Sequence, residues 1–183
     1  FRRVLFRSVA GLPADMLAAM HELRYGPNVC AAFLTDEDGP QRWDDVYAIA
    51  TPNRSITMLF NMDNILRATG APRGKGTSFM VYAVANLGRK ALAMEDEAVL
   101  DAYQRDLEEV LPEVRGRIVE RVLRKVDGGL PFPHVGRGRL QAALTQPTGR
   151  IHLAGDYLGS WYAETAALTG AWAAANAREQ LAA

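Results

Sequence analysis

LAGDYLGSWYAETAALTG, Leu153 to Gly170, is the stretch on which the reading of this chain turns. A short apolar run, Ile151 and Leu153, enters a Gly-Asp turn at Gly155 and Asp156, and an Ala-rich segment of helical character follows. A turn of this kind sets backbone N–H groups and the positive end of a helix against the negative oxygens of a ligand, so a nucleotide-like group is expected beside it. Gly-Asp alone is an ordinary turn; the apolar run before it and the helix after it give it weight.

The remaining totals narrow the classes. At 183 residues the chain has length for one domain, or one domain and part of another, with ample core. Lys plus Arg equals Asp plus Glu at 21 each, and no long basic stripe stands out, which argues against nucleic acid as a partner. The single cysteine, Cys30, excludes an internal disulfide framework and a CxxC metal site, and its apolar neighbours suggest a buried, inert thiol. No apolar run has the length of a transmembrane segment, and the N-terminus lacks the apolar region of a signal peptide. A soluble, cytoplasmic protein is expected, with peripheral membrane contact and oligomeric state left open. His21, His134 and His152 lack metal-ligand spacing, so each is read as a hydrogen-bonded structural histidine and no metal is expected.

The chain opens FRRVLFRS, three arginines and no acid before patterned sequence starts at Val9. One codon choice for this octapeptide resembles a common sequencing-adapter end. Residues 1–8 therefore read as a translated library scar, with a short basic arm as the alternative, and carry no functional weight.

From Leu12, GLPADMLAAMHELRYG places Pro13 at a helix start and Met16, Met20 and Leu23 along one face, with Gly26 as the stop. Asn28 to Thr35 is apolar on both alternating faces, which suggests a strand buried on both sides, and DEDGP turns after it. Val46 to Thr51 and Ile56 to Met62 read as strands joined by the TPNRS turn, and Ser78 to Asn86 as a further strand. GAPRGKG between them lacks the spacing of a phosphate loop and reads as a plain connector. Acids at Glu95, Asp96 and Glu97 open a helix carrying Val99, Tyr103, Leu107 and Val110 until Pro112. RIVERVLRKV fits helix by its period and strand by its β-branched content; the strand is preferred because GGLPFP follows. The sum is an α+β arrangement, an antiparallel sheet with packed helices rather than a doubly wound sheet.

TGRIHLAGDYLGSWYAETAALTGAWAAANAREQL resembles the C-terminal flavin motif of the FAD-dependent amine oxidase superfamily, which includes protoporphyrinogen oxidases and carotenoid desaturases. The match covers Gly149 to Leu181, and LRYGPNV, WDDVYAIATPNRS and GLPFPHVGRGRL more weakly resemble the same superfamily's substrate domain. The resemblance implies residues 9–128 as a partial substrate-binding domain and 129–183 as the C-terminal strand-turn-helix of a Rossmann-like FAD domain. It implies FAD as cofactor, with Gly155 allowing close backbone approach and Asp156 accepting hydrogen bonds from ribityl hydroxyls or lying beside the pyrophosphate. A helix starting near Ala163 would aim its first N–H groups, with Glu164 and Thr165 in the same turn, at the flavin ring. Tyr162, after Trp161, matches an aromatic cavity wall, with core packing the alternative. Small residues at Ala166, Ala167, Gly170 and Ala174 would allow close approach along one side.

Two positions depart from the superfamily. A lysine common on the strand nearest the flavin has only Val29 or Cys30 here, and a tryptophan common before the proline-rich stretch is replaced near Val126. These departures shift the expectation from amine oxidation in particular to hydride loss from a C–N or C–H bond of a small or lipophilic substrate. No GxGxxG fingerprint with an acid about twenty residues later occurs, so the ADP-binding half is expected outside these residues, the chain being a C-terminal portion. The competing expectation is a non-catalytic scaffold domain with a vestigial flavin turn.

Overall fold

The sheet follows from the alternation along β1 (Tyr25–Thr35), in which Val29, Ala31, Phe33 and Thr35 are buried while Cys30 and Ala32 are half-exposed. In the computed structural model, which describes residues 11–146 and 148–182, β1 pairs antiparallel with β4 (Ser78–Val84), Ala31 opposite Val81 and Phe33 opposite Phe79. β3 (Met58–Asn61) continues from β4 with Leu59 opposite Val81, and β2 (Ala48–Ala50) pairs with β3. With β5 (Ile118–Pro131) beside β1, the order is β2-β3-β4-β1-β5. The octapeptide at residues 1–8 lies outside the described residues.

Helices α1 (Ala14–Glu22), α2 (Asp63–Ala68), α3 (Ala85–Leu92), α4 (Asp96–Val110), α5 (Gln141–Thr145) and α6 (Ala163–Ala182) complete the architecture. The chain divides into two compact units, one of Gly26–Gly129 and the other of the segments before Gly26 and after Gly129. Among the described residues no helix is long and apolar enough to cross a membrane.

The first unit holds the sheet. Its buried face is covered by α4, whose Val99, Tyr103 and Leu107 recur at helical spacing and pack with Val29, Phe33, Leu59, Phe79 and Val81. Each fully buried side chain of this size contributes roughly 1.5–3 kcal/mol. The alternate positions Cys30, Ala32 and Leu34 are open to solvent in part or in full, and that corrects the expectation that β1 is buried on both sides. Cys30 is accordingly half-buried; desolvation still raises its thiol above the ordinary range, against a smaller opposing influence of Arg124.

Two further expectations need correction. The strand ending at Asn86 stops at Val84, where Ala85 takes φ 52° and α3 begins. A Cβ on Gly88 inside α3 would lie 2.8 Å from the Ala83 carbonyl oxygen, so glycine lets α3 close onto β4. The 70–76 loop is more than a connector. Arg73 reaches Glu37 at 3.2 Å and Asp44 at 2.9 Å, and a Cβ on Gly76 would lie 1.9 Å from the Thr35 carbonyl oxygen. Glu37 is buried at 2% exposure; burial pushes its carboxyl up, but the hydroxyls of Thr35 and Thr77 and the Arg73 guanidinium outweigh that and hold it below the usual range. Trp43, buried, donates from Nε1 to Thr77 Oγ1 at 3.1 Å and packs edge-on to Phe79. The β2–β3 hairpin is tied to α4 by the Ser55 N–H, which donates to Asp106 at 2.6 Å.

In the second unit α1 and α5 share a small core of Leu12, Met16, Ala19, Met20, Leu140 and Leu144. Ile151 makes an isolated bridge with Thr148 in place of the expected strand, and 152–154 carry no ladder. Among the described residues no neighbouring strand takes up their N–H and C=O groups, and a lone extended segment is not a strand.

Candidate functional site

Gly155 sits at φ 145°, ψ 165°, a region open essentially to glycine alone, and a Cβ there would strike the Tyr157 ring at 2.5 Å. The chain then folds into a single 3-10 turn, Asp156–Leu158, before α6 starts at Ala163. Three side chains from elsewhere in this unit brace the turn. The Gly155 N–H donates to Thr169 Oγ1 at 2.9 Å, the Gln141 amide donates to the Leu158 carbonyl at 2.8 Å, and the Arg137 guanidinium donates to the Tyr157 carbonyl. Thr169, 5% exposed, is the only buried residue of α6 and joins the helix to the turn.

The braced turn presents the Asp156 carboxylate, half-exposed and, among the described residues, without a hydrogen bond or ion pair of its own. Ala163 and Glu164 begin the 20-residue helix α6 from the surface, where helix geometry leaves the first N–H groups directed outward. Thr165 is half-buried and faces Ser160, the two hydroxyl oxygens 3.3 Å apart, while its methyl fills the space a Cβ on Gly159 would occupy. Tyr162 is 59% exposed, with its ring centroid 6.1 Å from that of Trp161 and the planes tilted by 46°. Core packing therefore does not account for it. Gly155, Asp156, Tyr162, Ala163, Glu164 and Thr165 thus fall on one continuous turn and helix start.

Two features of this unit lie apart from that surface. A groove of about 470 Å³ runs between α6 and the 151–158 segment, lined by Leu144, Leu153, Leu158, Thr169 and Trp172, and none of the six expected residues lines it. Among the described residues nothing packs closely on the small residues of α6: Ala166, Ala167 and Ala174 are exposed and Gly170 has open space around it. Of the histidines, His152 hydrogen-bonds Gln180 at 3.1 Å and His134 the Val135 carbonyl at 3.0 Å, whereas His21 is exposed at the end of α1 and has no such bond among the described residues. Among the described residues no three His, Cys, Asp or Glu side chains are grouped to hold a metal.

Sequence reasoning missed the three bracing residues. Thr169 lies inside the Ala166–Gly170 segment and was legible only as a helix position; Arg137 sits in GLPFPHVGRGRL, read only for its resemblance, and Gln141 follows directly after it. Nothing local marks a side chain that bonds to a carbonyl 17 or 20 residues away.

The second unit thus holds a turn at a glycine-only conformation followed by a helix start, the first an antiparallel sheet, and solved structures share the fold. A cofactor-site variant of putrescine oxidase aligns with TM-score 0.71 at 12% identity, covering 92% of this chain and 38% of that one. A protein of Exiguobacterium sp. 255-15 described as a protoporphyrinogen oxidase aligns with TM-score 0.55 at 19% identity, covering 90% and 38%. Reduced UDP-galactopyranose mutase aligns with TM-score 0.52 at 13% identity, covering 70% and 27%. The 183 residues thus span well under half the length of each. No curated protein sequence matches the chain. The sequence matches the family described as flavin containing amine oxidoreductase over residues 1–177, and the chain belongs to that FAD-dependent oxidoreductase family.

Proposed function

We propose that these residues supply the flavin-ring end of an FAD site and the substrate-binding sheet of an oxidoreductase that removes a hydride from a C–N or C–H bond of a small or lipophilic molecule. The reading is carried by the Asp156 carboxylate, left without a partner among the described residues on a turn that three other side chains hold in place. The donor set fits the cofactor: one free carboxylate for hydroxyl groups and a helix start for a site of negative charge. FAD, when bound, supplies the redox chemistry by accepting the hydride.

The chain's own residues orient and tune. Asp156 would accept hydrogen bonds from the cofactor's hydroxyls, with Thr169, Arg137 and Gln141 fixing the backbone that carries it. The first turn of α6 favours negative charge beside it, which stabilises a reduced ring. Tyr162 would wall the ring. Glu164, an acid in that first turn, steadies the helix itself. Residues 129–183 are read as part of the FAD domain and 9–128 as the substrate-binding part, with the ADP-binding half supplied by sequence outside these 183 residues. A reducing, cytoplasmic compartment suits the one free thiol at Cys30.

The test is expression of a chain extended to the length of its structural relatives. A yellow protein is expected whose flavin absorbance is bleached by a reductant and restored on reoxidation. Asp156→Asn should weaken FAD binding by about tenfold, the order expected for loss of a charge-assisted hydrogen bond. A colourless protein that FAD cannot reconstitute would overturn the proposal.

A further inference from the structure

Two acids and two bases meet in the first unit, Glu37 and Asp44 from the 36–45 segment, Arg67 from α2 and Arg73 from the 70–76 loop. Glu37 and Asp44 share one edge of Arg73, whose Nη2 reaches Glu37 Oε1 at 3.2 Å and whose Nε reaches Asp44 Oδ2 at 2.9 Å. Adjacent N–H groups of one planar fork thus hold the two carboxylates side by side. Arg67 comes in from α2: its Nη2 donates to the Asp44 carbonyl at 3.3 Å and lies 3.5 Å from Asp44 Oδ1, an ion pair without a hydrogen bond. The four side chains are shielded together, Glu37 at 3% exposure and the others at 14–17%.

Three polar atoms of this cluster have no hydrogen-bond partner. Glu37 Oε1 accepts from Arg73 and from the Thr77 hydroxyl, and Asp44 Oδ2 accepts from Arg73 and from the Gln41 N–H at 3.0 Å. The second oxygen of each carboxylate, Glu37 Oε2 and Asp44 Oδ1, accepts nothing among the described residues, and Arg67 Nε donates to nothing. All three atoms are closed off from bulk solvent. A buried ion-pair network offsets its desolvation only when the remaining lone pairs and protons are satisfied as well.

We infer that one buried water molecule binds in this cluster, accepting from Arg67 Nε and donating to Glu37 Oε2 and Asp44 Oδ1. The chemistry of the three atoms selects it. A metal ion or an ammonium cannot accept the Arg67 N–H and would lie against two guanidinium groups, whereas an anion would face two carboxylates. Water both accepts and donates, and two acceptors with one donor match the roughly three hydrogen bonds that a buried water makes. Its place explains how a short helix is fixed. α2 buries no residue, and polar contacts from Asn64 and Arg67 to Asp44 hold it; the water extends that set to Glu37 and so to the 70–76 loop through Arg73.

The experiment has a crystallographic and a solution arm, both on the 183-residue chain. A crystal structure at about 1.5 Å resolution should show one water at about 2.7–3.2 Å from each of the three atoms. Direct contact of Arg67 Nε with either carboxylate, or no water shared by the three atoms, would overturn the inference. In solution, water relaxation dispersion counts the water molecules that stay bound for longer than the protein takes to tumble. Arg67→Met keeps the stem and removes the donor, and should lower that count by one; the Trp43 indole N–H, which donates to Thr77, reports by its resonance that the variant folds. Arg42→Met breaks an exposed pair with Glu113 and should leave the count unchanged. An equal count in the parent and Arg67→Met, or the same fall in both variants, would count against the site. The crystallographic arm needs no variant and decides the matter whether or not Arg67→Met folds.

Discussion

Replacing Thr169 by valine removes one hydroxyl and keeps the side-chain shape. That oxygen accepts the Gly155 N–H at 2.9 Å, and its proton has the carbonyls of Thr165 at 2.8 Å, Ala166 at 3.1 Å and Gly155 at 3.2 Å within reach. The hydroxyl's own bond is the smaller loss, since a buried valine methyl offsets it by about 0.8 kcal/mol. The larger loss is the Gly155 N–H, for which an unpaired buried donor costs about 1–3 kcal/mol. Gly155 is only part-buried, so the net effect should be about 1–2 kcal/mol, a factor of roughly 5–30 in local opening. Amide hydrogen exchange reads this directly: in Thr169→Val the Gly155 amide should exchange faster by that factor, while amides of β4 in the other unit stay as they were. Thr169→Ser keeps the hydroxyl and should remain near the parent rate. Identical Gly155 exchange in Thr169→Val and the parent would refute the idea that Thr169 holds the turn.

Gly155→Ala places a Cβ 2.5 Å from the Tyr157 ring in a backbone region reserved for glycine, and should destabilise its unit by about 1–3 kcal/mol in denaturant titration. Glu37→Gln should cost about 2 kcal/mol at neutral pH, less than the roughly 3–5 kcal/mol of an orphaned buried charge because Asp44 still pairs with Arg73. The native carboxyl of Glu37 lies below its unfolded value of about 4.3, so its stabilisation is complete above that pH and fades as pH falls through the native value. The gap between Glu37→Gln and the parent should therefore narrow in acid, and a gap independent of pH would contradict the assignment. If the ADP-binding half lies outside these residues, the 183-residue chain alone should bind FAD weakly; a tight, stoichiometric calorimetric titration would contradict that.

The legible elements share one property: their signal repeats. α1, α4, β1 and the hairpin strands were readable because burial imposes a period of 3.6 or 2 over many residues. α2 spans six residues and buries none, so it offers no period, and α3 spans eight residues directly after β4, whose apolar run masks its start. The 70–76 loop was misread for a related reason. Its charge partners Glu37 and Asp44 sit 36 and 29 residues upstream of Arg73, and sequence spacing carries no trace of that closure.

For the candidate site the division is similar. The sequence by itself determined the Gly155-Asp156 turn, the start of α6 and the likeness to flavin enzymes, because glycine-only backbone and helix onset are local properties of the chain. Tertiary structure alone decided that Thr169, Arg137 and Gln141 brace that turn, and that Asp156, among the described residues, is left without a partner. Those facts depend on which distant groups satisfy one another's hydrogen bonds and charges, and only the folded chain brings the groups together.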